Sequence, residues 1–216
     1  MSEPFSSELF ERLPLVGILR GFKSDQVAPL VNACVEGGLT NLEITMNTEG
    51  AADQIREAIR VAEGRMNIGA GTVTNRERLV EAVNAGASFI VTPAMIPDVI
   101  DRCCELKLPF IPGAFTPTEV WQAWDAGATM VKLFPADIGG PGYVKSLKGP
   151  YPEIRIMATG GVSLDTIEDY LKAGTDGFGL GGPLFKREKV DAAEWEWIAE
   201  QIRRHREIYD AFTGAE

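Results

Sequence analysis

The sequence contains very little histidine. His205 is the only one in 216 residues, and it lies in a charged stretch near the C-terminus, where we expect it at the surface. Histidine is the commonest metal ligand and general base in proteins. A multi-histidine metal centre and a Ser-His-Asp triad are therefore nearly excluded. If the protein is an enzyme, we expect it to use lysine, carboxylates, arginine, threonine or backbone groups, with no metal and no cofactor.

Cysteine is also scarce. The three residues Cys34, Cys103 and Cys104 are odd in number, and two of them are adjacent, which argues against a disulfide framework and for a reducing cytoplasm. The first residues are polar and acidic, unlike a secretory signal. No apolar run approaches the roughly 18 residues that cross a membrane. We therefore expect a cytoplasmic protein without a membrane partner.

Positive charge is in deficit. Lys and Arg number 21 against 31 Asp and Glu, giving a formal net charge of −10. This balance argues against nucleic acid and anionic membranes as main partners, but it leaves room for a local site that binds a small anion. Hydrophobic residues make up 45% of the chain, which at this length suits one barrel-type domain or two small domains.

Short apolar runs alternate with helical segments along the whole chain, at a spacing of about 20–25 residues, as in parallel βα units. The predicted strands are Leu13–Leu19, Leu39–Met46, Met66–Ala70, Ser88–Val91, Pro109–Ile111, Thr129–Ala136, Ile154–Ala158 and Gly177–Leu180. The predicted helices are Asp25–Glu36, Thr48–Ala62, Arg76–Ala85, Pro97–Leu106, Pro117–Ala126, Tyr143–Leu147, Leu164–Ala173 and a closing helix Ala192–Phe212, with Ser24, Asn75, Thr116 and Ser163 as caps.

Eight such units favour an α/β protein with a single (β/α)8 TIM barrel of parallel strands over residues 1–216, preceded by a short polar lead-in at 1–12 that is helical at Ser7–Arg12. An open doubly wound sheet is the rival architecture. It is less well supported, because no G-x-G-x-x-G motif follows the first strand.

Lys132 is the first chemical anomaly. It is the only one of eight lysines inside a hydrophobic run of strand length, Thr129–Ala136. Burial lowers the pKa of a lysine and can make it a nucleophile that forms Schiff bases. A strand-end lysine that reaches to solvent is the structural alternative.

Glu43 is the second anomaly, as the only acid inside an apolar strand. Strand alternation places Glu43 and Thr45 on one face and Leu42, Ile44 and Met46 on the other. An inward Lys132 could pair with Glu43 across a narrow barrel, either as a structural ion pair or as a nucleophile with its general acid/base.

Polar and glycine residues follow most strands, at the end where barrel enzymes place their sites. Thr159-Gly160-Gly161 and Gly181-Gly182, after the seventh and eighth strands, fit a phosphate site, although plain turn glycines would look the same. The other candidate binding residues at these strand ends are Arg20, Thr45, Asn47, Gly71, Thr72, Pro93 and Phe134.

The assembled motifs resemble the class I aldolases of the 2-keto-3-deoxy-6-phosphogluconate (KDPG) and 4-hydroxy-2-oxoglutarate (KHG) family. The matching stretches run in order over residues 13–185: Gly37-Gly38, Leu42-Glu43-Ile44-Thr45, Gly69-Ala70-Gly71-Thr72-Val73, Ile90-Val91-Thr92-Pro93, Ile111-Pro112-Gly113, Val131-Lys132-Leu133-Phe134-Pro135-Ala136 and Ala158-Thr159-Gly160-Gly161-Val162.

This resemblance implies a homotrimer of TIM barrels and a reversible retro-aldol reaction that releases pyruvate without a metal. Lys132 would form the Schiff base and Glu43 would be the general acid/base. Thr72 and nearby backbone would hold the pyruvyl carboxylate, and Gly160, Gly161 and the glycines of strand eight would hold the phosphate.

Two positions depart from the family's usual pattern. Many gluconate-type members carry arginine where this chain has Asn47; the 6-phosphogalactonate branch looks similar here, and Arg20 would supply the missing charge. Gly181-Gly182 replaces a frequent Gly-Ser and offers phosphate only backbone groups. Substrate phosphate therefore stays an open question.

Three alternatives follow. The chain resembles an aldolase for a 6-phospho-2-keto-3-deoxy sugar acid, of gluco or galacto configuration, or one for a non-phosphorylated 4-hydroxy-2-oxo acid. A metal-dependent epimerase on a similar barrel would need histidines that this chain lacks. A non-catalytic sugar-phosphate-binding barrel would bind ligand without producing pyruvate.

Overall fold

The computed structural model describes residues 4–214. Its strands are β1 (Leu15–Leu19), β2 (Asn41–Thr45), β3 (Asn67–Gly71), β4 (Ile90–Val91), β5 (Phe110–Ile111), β6 (Gly113–Ala114), β7 (Val131–Leu133), β8 (Ile156–Thr159) and β9 (Gly177–Leu180). Its α-helices are α1 (Ser7–Arg12), α2 (Ser24–Gly37), α3 (Ala51–Ala62), α4 (Arg76–Ala85), α5 (Pro97–Leu106), α6 (Pro117–Asp125), α7 (Gly140–Lys148), α8 (Ile167–Lys172), α9 (Arg187–Asp191) and α10 (Trp195–Thr213).

All strand pairs are parallel, in the order β5-β4-β3-β2-β1-β9-β8-β7-β6. Only Pro112 separates β5 from β6, so the two ends of this order are halves of one strand and the sheet closes into a barrel. β5 pairs with β4, β6 pairs with β7, and the Pro112 carbonyl accepts from the Lys132 amide at 2.9 Å. The predicted (β/α)8 TIM barrel of parallel strands is confirmed.

The fifth strand is longer than its predicted range, Pro109–Ile111. Proline has no N–H, so it interrupts the ladder at Pro112, and pairing resumes at Gly113–Ala114. Gly113 is required there, because a Cβ atom at this position would lie 2.3 Å from the backbone of Pro93.

Apolar side chains fill the barrel's interior below the site. The inner cluster consists of Phe10, Val16, Phe89, Val91, Ile111, Met130 and Met157. Gly69 makes room for the ring of Phe89, since a Cβ atom on Gly69 would lie 2.5 Å from it. A second, larger apolar cluster includes Leu42, Ile44, Val131 and Leu133, and alternate residues of one strand therefore serve two layers.

The predicted lead-in forms part of the barrel's floor. Phe10 of α1 is 1% exposed and belongs to the inner cluster. The Ser6 amide donates to Asn67 Oδ1 at 2.8 Å, and Asn67 Nδ2 donates to Ser6 O and to Asn41 Oδ1, both at 2.9 Å. These buried amides tie the segment before α1 to β2 and β3. Residues 1–3 of the predicted lead-in lie outside the described residues.

The structure shows which of the predicted N-cap residues precede a helix. Asn75 and Thr116 accept from the third residue of their helices, as predicted, and Thr116 forms a capping box with Glu119. Ser24 is not a cap, because α2 begins at Ser24 itself and Lys23 occupies the N-cap position. The helix predicted from Leu164 begins at Ile167, since a turn spans residues 163–166.

The C-terminal region differs most from the prediction. The closing helix begins at Trp195 instead of Ala192, and α9 precedes it as a separate, unpredicted helix. His205 is 1% exposed, not at the surface, because its charged neighbours face outward while its ring packs inward; its Nδ1 lies 2.7 Å from Gln201 O. Within the described part of the chain, no helix combines the length and apolar character that a membrane crossing requires.

Candidate active site

Lys132 lies inside the barrel on β7. It is in register with Met157 of β8, which belongs to the inner cluster, while its neighbours Val131 and Leu133 belong to the larger one. The lysine is 3% exposed, and its Nζ lies 5.2 Å from the ring centroid of Phe134. It is therefore enclosed, not a strand-end lysine that reaches to solvent.

Glu43 of β2 is fully buried, and neither of its carboxylate oxygens has a hydrogen-bond partner among residues 4–214. A buried polar group without a partner is uncommon and points to a ligand-binding role. Gly71 creates the space for this carboxylate, because a Cβ atom on Gly71 would lie 2.2 Å from Glu43 Oε1. Glu43 and Lys132 form no direct ion pair, although both belong to the described residues.

Burial moves the pKa values of these two groups toward each other. Desolvation lowers the pKa of the Lys132 ammonium, and the charge of Glu43 opposes this in part. Desolvation raises the pKa of the Glu43 carboxyl, and the charges of Lys132 and Arg20 oppose this in part. A lysine pushed toward the neutral amine and a carboxyl pushed toward the acid suit nucleophilic attack and proton transfer near neutral pH.

Arg20 and Thr72 meet beside the buried pair. Arg20, just after β1, donates from Nη2 to Thr72 Oγ1 at 3.3 Å, and its charge influences the pKa values of both Lys132 and Glu43. Thr72 has a φ of 55°, a left-handed conformation that is rare for a β-branched residue. Such strain often marks functional positions.

Three other predicted binding residues, Thr45, Asn47 and Pro93, come from the second and fourth predicted strands. Thr45 is buried, and its hydroxyl lies 3.0 Å from that of Thr48, which accepts from the Gly21 amide at 2.8 Å. Thr45 thus supports the turn that carries Arg20. The Asn47 side chain is exposed, and Pro93 is half-buried beside Gly113.

A cavity of about 460 Å³ opens at the carboxyl ends of the strands. Both predicted glycine pairs line it, Gly160-Gly161 and Gly181-Gly182, and so do Arg20, Phe134 and Thr159. Gly160 and Gly161 have φ values of 97° and 71°, which only glycine adopts freely. The structure therefore brings the two predicted glycine pairs to one cavity.

Thr159 adds a buried hydroxyl to this cavity. Its Oγ1 has no hydrogen-bond partner among the described residues, and Gly179 gives it space, because a Cβ atom there would lie 2.4 Å away. No helix begins directly after Gly161, because α8 starts only at Ile167 and is six residues long.

Arg187 is a cavity residue that the sequence analysis missed. It opens α9 and lines the same cavity as Phe22 and the two glycine pairs. The basic pair Lys186-Arg187, shortly after Gly181-Gly182, was the available signal in the sequence. Among residues 4–214, no group of three or more His, Cys, Asp or Glu side chains is placed to hold a metal ion.

Comparisons with known proteins agree with this geometry. A family model described as KDPG and KHG aldolase matches residues 7–201. A 2-dehydro-3-deoxy-phosphogluconate aldolase of Haemophilus influenzae is 36% identical over 91% of this chain and 92% of its own.

Solved structures extend these comparisons. A native KDPGal structure superposes with a TM-score of 0.88 at 30% identity, covering 98% of this chain and 100% of that one. A KDPG aldolase from Legionella pneumophila, with pyruvate captured as a covalent carbinolamine intermediate, has a TM-score of 0.84 at 26% identity, covering 90% and 95%.

Proposed function

Because this chain belongs to the KDPG and KHG aldolase family, we propose that it cleaves a 2-keto-3-deoxy-6-phospho sugar acid reversibly to pyruvate and glyceraldehyde 3-phosphate, through a Schiff base on Lys132. The observation that carries the proposal is the enclosed pair of Lys132 and Glu43, whose pKa values are moved toward each other by burial. The covalent pyruvate adduct of the Legionella relative supports the same chemistry.

Lys132 opens the reaction as a neutral amine. It adds to the C2 ketone to give a carbinolamine, and loss of water, with a proton supplied by Glu43, leaves an iminium ion. Glu43 then accepts the proton of the C4 hydroxyl as the C3–C4 bond breaks. The bonding electrons pass into the iminium, and the aldehyde product leaves.

The enamine that remains on Lys132 regains a proton at C3. Water then adds to the iminium, and its hydrolysis frees pyruvate and the amine. Glu43 is enclosed within the barrel and forms no hydrogen bond to another described residue, so its carboxyl is available for each of these proton transfers.

Binding roles follow the two halves of the site. At the inner half, Arg20, Thr72 and the backbone at Gly71 hold the pyruvyl carboxylate. Thr45 supports the turn that carries Arg20, and Asn47, Pro93 and Phe134 stay proposed binding residues. At the outer half, the amides of Gly160, Gly161, Gly181 and Gly182 and the Thr159 hydroxyl face the phosphate end. Arg20 connects the two halves, because it lines the cavity with the glycines and donates to Thr72 Oγ1.

Borohydride reduction in the presence of pyruvate, followed by peptide mass spectrometry, tests the Schiff base. We expect a reduced pyruvyl adduct on Lys132, and neither adduct nor turnover in Lys132→Ala. Lys145→Ala is a matched control, because Lys145 is exposed on α7 and should leave both unchanged. An adduct on another lysine, or substantial turnover by Lys132→Ala, would contradict the assignment.

Substrate choice needs a separate assay. Turnover of the two C4 epimers, phosphogluconate-type and phosphogalactonate-type, distinguishes the two branches that the comparisons name. The Haemophilus relative is a phosphogluconate aldolase and the structural neighbour is a KDPGal structure, so we propose the galacto epimer as the better substrate on the basis of the Asn47 position. Equal or greater turnover of the gluco epimer would contradict that preference.

We also propose a cytoplasmic homotrimer. The three cysteines are unpaired thiols, which suits a reducing compartment, and the resemblance to the family implies the trimer. Light scattering after size-exclusion chromatography should give three times the chain mass of 23.5 kDa. A mass of one or two chains would contradict the trimer.

A further inference from the structure

Helix α9 is fastened across one side of the barrel's mouth. Arg187 donates from Nη2 to Gly21 O at 2.7 Å and to Arg20 O at 3.4 Å. Gln26 Nε2 donates to Asp191 Oδ1 at 3.0 Å, which ties α2 to the other end of α9. The Arg187 guanidinium also lies over Phe22, with its carbon 4.3 Å from the ring centroid. These contacts fix the position of an exposed arginine.

The cavity that Arg187 lines carries positive charge only. Its two ionisable lining residues are Arg20 and Arg187, and none of the lining residues is an acid. Within the described part of the chain, Arg187 forms no ion pair with a carboxylate. Two unpaired guanidinium groups converging on one cavity, in a chain of net charge −10, indicate an anionic ligand.

The two arginines serve different parts of the site. Arg20 contacts Thr72, and its charge influences the pKa values of Lys132 and Glu43, which places it at the reacting end. The Arg187 guanidinium contacts the carbonyls of Arg20 and Gly21 and the ring of Phe22, and within the described part of the chain it makes no hydrogen bond to Thr72, Lys132 or Glu43.

The cavity at the glycine pairs leaves a place for such a charge. A Cβ atom on Gly182 would have no neighbour within 4 Å, so the cavity is open at this position, and glycine contributes no hydroxyl to it. Backbone amides carry no net charge, whereas a guanidinium offers planar, charge-assisted hydrogen bonds to two phosphate oxygens.

We propose that Arg187 binds the phosphate monoester at the far end of the substrate and thereby determines the preference for phosphorylated over non-phosphorylated sugar acids. This inference rests on the proposed aldolase function. The charged group that recognises phosphate then lies on α9, and not on β9.

Steady-state kinetics of Arg187→Gln and Arg187→Lys test the assignment. Lys186→Gln is the matched control, because it removes the same charge from the adjacent residue, whose Nζ lies over Trp197 and outside the cavity. For the phosphorylated substrate we expect Arg187→Gln to raise KM roughly 10- to 100-fold with little change in kcat, as for the loss of a charged hydrogen bond. Arg187→Lys should recover part of this loss.

The non-phosphorylated 2-keto-3-deoxy sugar acid is the decisive comparison. We expect its kcat/KM to be nearly the same in wild type and Arg187→Gln. An equal loss for both substrates would overturn the inference, because it would show that Arg187 only supports the turn at Gly21.

Inorganic phosphate separates this inference from the proposed function. We expect its dissociation constant, measured by calorimetry on the wild-type protein and on Arg187→Gln, to rise by a similar factor in the variant. An unchanged constant overturns the role of Arg187, whether or not the protein is an aldolase. Absence of cleavage and of a pyruvyl adduct in wild type would instead overturn the proposed function.

Discussion

The substitution Gly71→Ala should disable catalysis through a single side chain. Gly71 ends β3 without a left-handed φ, so its backbone accepts alanine. The new Cβ atom would lie 2.2 Å from Glu43 Oε1 and 2.5 Å from Cδ, distances that folded proteins do not tolerate. The carboxylate must therefore retreat by about 1 Å, and a displacement of that size at a reacting centre can reduce the rate about 100-fold.

Turnover of the phosphorylated substrate, followed through pyruvate release, measures this effect. We expect kcat of Gly71→Ala to fall by about 10²-fold while the borohydride adduct on Lys132 still forms, although more slowly, because the amine is intact and only proton transfer by Glu43 is impaired. Overpacking should also lower the free energy of unfolding by about 1–3 kcal/mol. Gly142→Ala is the control, since no atom lies within 4 Å of its built Cβ position on α7, and its kcat should match wild type.

A double-mutant cycle with Glu43→Gln tests the cause. If alanine at position 71 acts only by displacing the carboxylate, Gly71→Ala combined with Glu43→Gln should be no slower than Glu43→Gln alone. Additive losses, or an unchanged kcat in Gly71→Ala, would refute the reasoning that Gly71 exists to place Glu43.

Three further predictions concern the inner site and the floor. Imine formation should rise with pH through the lowered pKa of Lys132, with a midpoint below 10.5. In Glu43→Gln this midpoint should move to still lower pH, because the charge that raises the lysine's pKa is gone; a shift upward in a stopped-flow pH series would contradict the coupling. Phe10→Ala should lower the free energy of unfolding by about 3–5 kcal/mol in urea titrations, and kcat of the folded enzyme should be preserved. A loss below about 1 kcal/mol, as at an exposed site, would contradict the assignment of Phe10 to the barrel's floor. Thr72→Gly should raise the unfolding free energy by about 1 kcal/mol by relieving its left-handed φ, yet lower kcat/KM because the hydroxyl that Arg20 contacts is lost; unchanged kinetics would remove Thr72 from the site.

Charged residues inside apolar runs could be recognised as candidate site residues from the sequence. Lys132 and Glu43 stand out because each is an ionisable side chain inside an apolar run, and burying a charge is costly wherever the strand ends up. Strand alternation then indicated which face of β2 Glu43 occupies, and the structure places it inside the barrel. Its roles in proton transfer remain a proposal.

Features that depend on distant partners were not predictable. His205 lies in a charged stretch, and only the packing of α10 shows that its ring is buried. The floor formed by Phe10 and Asn67 depends on long-range contacts, such as the hydrogen bond between Ser6 and Asn67, which are 61 positions apart in the sequence. The continuation of the fifth strand beyond Pro112 depends on β7 offering it hydrogen bonds.

The sequence by itself determined the parallel barrel and the polar residues at its strand ends, because hydrophobic periodicity, glycine turns and anomalous charges are properties of short segments. Tertiary structure decided which of those residues share a cavity. Arg187 contacts Gly21 across 166 positions of the chain, and only the pairing of β1 with β9 brings the two residues together. This pairing therefore brings Arg20 and Arg187 to one cavity, where Arg20 contacts Thr72 and Arg187 lies over Phe22.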